Sequence, residues 1–226
     1  MAPDSDSLGL EQRLETLLKQ ESFKPPESFV AAAALTDPAI YSEAAADSPA
    51  WWGERARELA WATPFTTTLD DSSAPFYKWF EDGKLNASYN CLDRHVEAGL
   101  GGRVAYHWFG EEGEQREITY EQLLAEVKRT ANALKARGVG AGDVVGIYLP
   151  MIPEVVVAML ACARIGAPHN VVFGGFAPES VRERMEVSNA KALFVPDGAR
   201  RKGKTAPVKA EVDAVMGELA DLETIF

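Results

Sequence analysis

The chain has 226 residues, 46% of them hydrophobic and 25% charged, which is an ordinary composition for one large globular domain or two small ones. Its formal net charge of −11 repels phosphate polymers and acidic membrane surfaces, which argues against a nucleic-acid or lipid-surface partner. The start, MAPDSDSLGLEQ, has no basic or apolar signal region, and no apolar run approaches the length of a membrane span. We therefore expect a cytoplasmic protein.

The amino-terminal part predicts an irregular, helical wrapping segment over residues 1–101, followed by a second domain over 102–226. Leucines recur at helical spacing in residues 8–19, and SPAWWGERARELAW (48–61) predicts a short amphipathic helix. Several aromatic residues lie in this part without interleaved cations, which favours a packing role over base stacking. These residues are Trp51, Trp52, Trp61, Phe76, Tyr77, Trp79 and Phe80.

The second part begins with a predicted hairpin and helix. RVAYHWF and REITY flank the turn-prone GEEGEQ, and we expect its acidic run at 111–114 to be a solvated hairpin tip. Thr119 and Gln122 fit a capping box, and Arg137-Gly138 supplies a stop. The helix between them has one apolar face, formed by Leu123, Val127, Ala131 and Leu134.

Strands and helices then alternate. The buried strand VVGIYLP is followed by a helix that begins at Pro153 and ends at Gly166, and HNVVF by a helix from Pro178 to about Asn189. A third strand, KALFVP, follows. This pattern predicts an α/β fold in which the strands form a βαβαβ parallel-sheet layer, doubly wound from about residue 118 onward.

Open parallel sheets bind ligands at the carboxyl ends of their strands, where three connections meet. One is Pro150-Met151, the second contains Phe173, Gly174 and Gly175, and the third is GARRKGKT at 198–205. By itself the Gly-Gly pair fits a tight turn equally well, and the cations fit a solvated loop. Together they favour an elongated anion with a narrow uncharged portion and a phosphate-rich end.

The stretch GARRKGKT also matches the P-loop pattern G-x-x-x-x-G-K-[ST]. No later apolar strand ends in an Asp for Mg²⁺, few residues follow Thr205, and Pro207 interrupts the helix that a P-loop requires. We interpret the match as coincidental. The phosphate-binding chemistry of exposed N–H groups, arginine and lysine remains.

A metal or thiol site is a weaker hypothesis. Cys91 and His95 are four residues apart with Asp93 between them, but the other histidines and Cys162 do not complete a set of ligands. Cys162 lies in the apolar run VVVAMLACA, which predicts a buried, reduced thiol. We assign no metal site to the chain.

Three longer stretches resemble one enzyme family. They are WFEDGKLNASYNCLDRHV at 79–96, IGAPHNVVFGGFAPESVRERM at 165–185 and GARRKGKTAPVK at 198–209. In this order they resemble the AMP-forming acetyl-CoA synthetases, which belong to the adenylate-forming superfamily of acyl-CoA synthetases and luciferases. FKPPESF and WWGERARELAW are similar to that family's leader region, so the resemblance covers nearly all of the chain after about the first twenty residues.

The resemblance implies part of an adenylate-forming N-terminal domain and a two-step acetate–CoA ligase reaction. Acetate and ATP would give acetyl-adenylate and pyrophosphate, and CoA would then displace AMP. The implied substrates are CoA, ATP and acetate. Mg²⁺ is expected for the complete enzyme, with its site outside this chain, and no catalytic residue is assigned.

The resemblance also implies a CoA-binding set. Phe173, Gly174 and Gly175 match a loop along the CoA path. The phosphates of the 3′-phospho-ADP end would be held by Arg201, Lys202, Gly203 and Lys204. The family often has arginine where Lys204 stands, and the adjacent Arg200 leaves the register ambiguous by one residue.

Other family elements are not found in the sequence: the Ser/Thr/Gly-rich loop ending in Pro-Lys, the acyl pocket, the ribose-binding Asp and the C-terminal domain with its catalytic Lys. We therefore interpret the chain as an amino-terminal portion that is inactive alone. Two classes of function remain open. The first is the CoA-binding share of an acetate–CoA ligase, and the alternative is a truncated, non-catalytic module that binds CoA or another phosphate ligand.

Overall fold

The computed structural model describes residues 9–19, 22–201, 203–217 and 219–226. The chain divides into two compact units: the first ends at Trp52, and the second begins at Gly53. The helices in and beside the first unit are α1 (Leu10–Leu18), α2 (Glu27–Ala31), α3 (Ala39–Ala46) and α4 (Ser48–Arg57). Helices α1 and α4 confirm the two predicted from the sequence. Within the described ranges, no helix is both long and apolar enough to cross a bilayer.

A compact segment precedes the main sheet in the second unit. It contains the short antiparallel pair β1 (Leu69–Asp70) and β2 (Lys78–Trp79), then π-helical turns at Tyr89–Asp93 and Val96–Leu100. The Asn90 side chain connects these turns to the residues after α4: it accepts from the Ala60 N–H at 2.8 Å and donates to the Ala60 carbonyl at 2.9 Å.

The predicted packing role of the aromatic residues is right for some and wrong for others. Trp61 and Phe80 pack with Phe65, with ring centroids 5.0 and 4.8 Å from that of Phe65. Phe76 and Tyr77 lie instead in the connection between β1 and β2, where their side chains are 78% and 56% exposed. The packing prediction is therefore correct for Trp61 and Phe80 and wrong for Phe76 and Tyr77.

The predicted hairpin and capped helix are confirmed. Strand β3 (Val104–Phe109) pairs antiparallel with β4 (Gln115–Thr119), and α5 (Tyr120–Ala136) follows. The Thr119 hydroxyl accepts from the Gln122 N–H while the Gln122 side chain accepts from the Thr119 N–H, which completes the capping box. The predicted apolar face of α5 is buried.

A four-stranded parallel sheet forms the centre of the second unit, which confirms the predicted α/β class. Its strands are β5 (Val145–Ile147), β6 (His169–Val171), β7 (Ala192–Phe194) and β10 (Thr224–Ile225), in the order β10-β7-β5-β6. The connecting helices are α6 (Pro153–Ile165), α7 (Pro178–Ser188) and α8 (Val208–Met216).

Helices cover both faces of this sheet. Along β7, Ala192 and Phe194 pack into a cluster with α5 and α6, whereas Leu193 packs into a second cluster with α7 and α8. This alternation follows from the two-residue period of a strand. Gly146 in β5 fits because a Cβ there would contact Leu193 Cδ1 at 2.8 Å and would clash with Met185.

The helix ends match the sequence signals. Pro153 and Pro178 occupy first-turn positions, where a missing N–H costs nothing. Gly166 and Asn189 end their helices in the left-handed conformation, with φ of 74° and 49°.

Candidate functional site

Three connections leave the carboxyl ends of the central strands. The connection after β5 begins at Tyr148, the glycine turn after β6 spans Phe173–Phe176, and the basic hairpin after β7 contains GARRKGKT. Strand β5 lies between β6 and β7, so the ends of β6 and β7 are two strand spacings, or about 10 Å, apart. The connection after β5 begins between them. Those predicted site residues that the structure describes therefore lie at one end of the sheet.

The glycine turn lies against the connection after β5. A Cβ on Gly174 would come within 3.3 Å of the Leu149 carbonyl oxygen and 3.5 Å of Pro150 Cα, so a side chain there would crowd backbone atoms. Gly175 is exposed beside it. Of the two explanations that the sequence left open for Gly-Gly, these contacts fit the tight turn, because the atoms that exclude a Cβ at Gly174 belong to the protein's own backbone.

Side chains beneath the glycine turn hold its far end. The buried Tyr148 hydroxyl donates to the Phe176 carbonyl at 2.8 Å, and burial raises the pKa of Tyr148. The Arg184 guanidinium lies 4.6 Å from the Phe176 ring centroid. Phe173 remains 65% exposed at the start of the turn, 6.0 Å from the Phe176 ring.

The basic hairpin is formed by β8 (Ala199–Arg201) and β9 (Lys204–Ala206), which pair antiparallel. Gly203 has φ of 71°, a conformation that side chains disfavour. A P-loop runs directly from a loop into a helix, whereas here a strand follows Gly203 and α8 begins only at Val208. The match of GARRKGKT to the P-loop pattern is thus not accompanied by P-loop geometry.

A cleft of about 680 Å³ lies between the basic hairpin, the connection after β5 and the β3–β4 hairpin. Trp108 of β3 fixes one wall, because its indole Nε1 donates to the Met151 carbonyl at 2.8 Å. Pro196 and Arg200 also line the cleft. The cleft adjoins the predicted phosphate-binding residues and has room for a small organic ligand.

The acidic tip, residues 111–114, is not simply a solvated turn as predicted. Its Glu112 carboxylate is ion-paired with Arg200 Nη1, and Glu114 Oε1 lies 3.5 Å from the same nitrogen. The Gly203 N–H donates to Glu111 Oε1 at 3.4 Å. The tip is exposed, as expected, but it also contacts one cation, Arg200, and one backbone N–H of the basic hairpin.

The predicted CoA-binding residues thus have different surroundings. Arg200 contacts the acidic tip, Gly203 lies in the turn and Lys204 is exposed in β9. Arg201 belongs to β8, but its side chain and the whole of Lys202 lie outside the described residues. Sequence reasoning missed Trp108, Tyr148 and the acidic tip. The opposite charges of the two hairpins were the one available signal.

Asp93, the carboxylate between Cys91 and His95 in the weaker metal hypothesis, is bound to Arg164. Asp93 is 6% exposed and accepts from Arg164 Nη1 and Nη2 at 2.7 and 2.9 Å. These hydrogen bonds hold the pKa of Asp93 below its ordinary value. In the part of the chain that the structure describes, no three His, Cys, Asp or Glu side chains are grouped to hold a metal. Cys162 is fully buried, as predicted, and burial raises its pKa to about 12.

Comparison with known families identifies the class to which this sheet and its connections belong. The profile of the AMP-binding enzyme family matches residues 92–225, and the chain therefore belongs to that family. A second profile, described as the acetyl-coenzyme A synthetase N-terminus, matches residues 38–91. The two matches adjoin within the second compact unit.

Individual similar proteins carry more specific names than the family does. The chain is 54% identical over 216 residues to an acetyl-coenzyme A synthetase of Streptomyces avermitilis, a match that covers 95% of this chain and 33% of the relative. It is 50% identical over 208 residues to one of Mycobacterium tuberculosis, covering 92% and 32%. A third, from Burkholderia lata, is 52% identical over 206 residues, covering 88% and 31%. The chain spans about a third of the length of these relatives.

Proposed function

We propose that this chain provides part of the CoA-binding surface of an AMP-forming acetate–CoA ligase, which converts ATP, acetate and CoA to acetyl-CoA, AMP and diphosphate. The observation that carries the proposal is the 54% identity to a protein named acetyl-coenzyme A synthetase over 95% of the chain. Membership of the AMP-binding enzyme family supports the same chemistry.

The glycine turn is the part of the proposed surface that suits a narrow uncharged chain. Gly174 has backbone of the neighbouring connection within 3.3 Å of its Cβ position, so a larger residue would displace that wall. Phe173 offers an exposed apolar ring beside it. A pantetheine arm needs a slim apolar path with few charges, and we propose that Phe173, Gly174 and Gly175 line it.

The basic hairpin is the part that suits phosphate. Exposed cations form charge-assisted hydrogen bonds with phosphate oxygens, and a turn N–H adds a donor. We propose that Arg201, Lys202, Gly203 and Lys204 hold the 3′-phosphate and diphosphate of CoA. Arg200 is the alternative to Arg201 if the register is shifted by one residue.

The remaining components are assigned to the complete synthetase. We propose that ATP and acetate bind mainly outside the residues of this chain, and that the synthetase acts in the cytoplasm. Within the chain, we propose that residues 1–101 are the leader segment of the synthetase and that residues 102–226 are part of its AMP-binding N-terminal domain. Mg²⁺ would accompany ATP. The described residues contain no group of three His, Cys, Asp or Glu side chains suited to a metal, so we assign none of them to Mg²⁺.

The proposal is tested by the effect of Arg201→Ala with Lys204→Ala in a full-length synthetase that contains this region. Lys204 is exposed, so the loss of its contact should cost about 1 kcal/mol and raise the KM for CoA roughly fivefold, and the loss of Arg201 should raise it further. Pyrophosphate exchange with ATP and acetate, measured without CoA, should be nearly unchanged.

Lys209→Ala is the matched control, because Lys209 is a nearby cation that pairs with Asp213 in α8 at 2.6 Å. It should leave the KM for CoA unchanged. If the double variant instead loses exchange and keeps its CoA dependence, the hairpin serves ATP as a P-loop would, and the proposal is wrong. If this chain binds CoA and no protein that contains it makes acetyl-CoA, the non-catalytic alternative holds.

A further inference from the structure

The acidic tip of the β3–β4 hairpin contacts the basic hairpin at the position proposed above for phosphate. We propose that Glu112 and Glu114 set the affinity of this site, because they act as an internal counter-anion that a phosphate ligand must displace from Arg200. The inference rests on the proposed function, since it takes the basic hairpin as the anion site in the register that makes Arg200 one of its phosphate ligands.

The contacts show that the tip is organised to face Arg200. Glu114 uses its two oxygens differently: Oε2 accepts from the Glu112 N–H at 3.1 Å, and Oε1 lies 3.5 Å from Arg200 Nη1. The Glu112 carboxylate pairs with that same nitrogen. The carboxylates are thus presented together by a turn whose shape Glu114 itself helps to fix.

A second contact makes the overlap with a phosphate site more specific. The Gly203 N–H, which projects from the turn of the basic hairpin, donates to Glu111 Oε1 at 3.4 Å. A guanidinium and a free backbone N–H are the donors that commonly bind phosphate. The acidic tip therefore supplies carboxylate oxygens to both kinds of donor.

The distribution of charge along the chain supports competition between the acidic tip and a phosphate ligand. The net charge is −11, yet five of its cations fall within residues 200–209. Arg200, Glu112 and Glu114 are 56%, 58% and 47% exposed, so water and salt can reach the pair and a ligand can replace the carboxylates without opening the core. A terminal phosphate carries about two negative charges and can compete with them.

The size of the effect follows from this exposure. Exposed ion pairs change an equilibrium by roughly 1.4-fold to fivefold each. Removing both carboxylate charges should therefore tighten phosphate binding about twofold to 25-fold at low salt. The gain should shrink as salt is added, because the Debye length falls from about 30 Å at 0.01 M to about 10 Å at 0.1 M.

Titration calorimetry of the 226-residue chain with adenosine 3′,5′-bisphosphate tests the proposal. The variant Glu112→Gln with Glu114→Gln should bind this ligand about twofold to 25-fold more tightly than the unaltered chain. The control, Glu117→Gln with Glu121→Gln, makes the same change in charge away from the tip. Glu117 faces His107, at 3.4 Å, and the control should change affinity less than twofold.

A second background shows whether the effect passes through Arg200. In Arg200→Gln, the tip variant should give no further gain, as a double-mutant cycle requires for a coupled pair. Equal or weaker binding by the tip variant overturns the proposal and makes the contact a structural brace. Tightening that persists in Arg200→Gln also overturns it. If neither the unaltered chain nor any variant binds the ligand, the assignment of the hairpin as an anion site fails as well.

Discussion

Replacing Asp93 by Asn should weaken the contact between the π-helical segment and α6. The carboxylate is 6% exposed and accepts two hydrogen bonds from Arg164, with Lys128 Nζ 3.9 Å away. Each hydrogen bond to a charged group contributes about 1.5–3 kcal/mol, and breaking a buried pair costs about 3–5 kcal/mol. Asn keeps one acceptor, and the Arg164 side chain is 25% exposed, so we expect a loss of about 2–3 kcal/mol.

Amide hydrogen exchange, read by mass spectrometry over residues 86–94 and α6, measures this loss. It reports local opening free energies, which suits a chain with two compact units, where one global free energy of unfolding is poorly defined. Asp213→Asn is the matched control, because Asp213 pairs with Lys209 on the surface of α8 and should contribute under about 0.5 kcal/mol.

The same pair predicts a dependence on pH. Hydrogen bonds from Arg164 hold the folded-state pKa of Asp93 below its ordinary value, so the stabilisation is complete above about pH 4 and is lost as pH falls through the lowered pKa. The difference between Asp93→Asn and the unaltered chain should therefore disappear in acid. A difference below about 0.5 kcal/mol at neutral pH, or one that persists in acid, would refute the reasoning.

Three further predictions concern single positions. Thr119→Ala should speed exchange in the first turn of α5 by the equivalent of about 1 kcal/mol, and Thr119→Ser should not. Gly166→Ala should speed amide exchange in the last turn of α6 by the equivalent of about 1 kcal/mol, because φ is 74°. Gly102→Ala, at an open position, should leave exchange around it unchanged, and equal effects would contradict this. At pH 8 a thiol reagent should modify exposed Cys91, but modify Cys162 only after denaturation, because burial raises its pKa to about 12; two fast thiols in the folded chain would show otherwise.

Local chemistry made much of the fold predictable. Pro153 and Pro178 mark helix starts because their fixed φ suits the first turn, and Gly166 marks an end because it accepts a positive φ. The capping box at Thr119 is read within four residues of chain. The alternation of such helices with short apolar strands then indicated the parallel sheet, and hence the end of the sheet where the candidate site lies.

The remaining features depend on residues far apart in the chain. Glu114 and Arg200 are 86 residues apart, so nothing local to either stretch predicts that they meet. Exposure of Phe76 and Tyr77 was missed because composition gives the apolar character of a ring but not the direction in which a connection carries it. Tyr148 was missed because a buried tyrosine at a strand end has the same pattern whether or not its hydroxyl has an acceptor.

The position of β5 in the sheet has a consequence for synthesis on the ribosome. Both of its neighbours, β6 and β7, come later in the chain, with Ile147 pairing with Val171 on one side and Phe194 on the other. At about 5–20 residues per second, several seconds separate the emergence of this apolar strand from that of its second partner. During that interval at least one edge of β5 has no partner strand in the nascent chain. Slow translation between residues 148 and 194 should therefore increase the need of the nascent chain for chaperones.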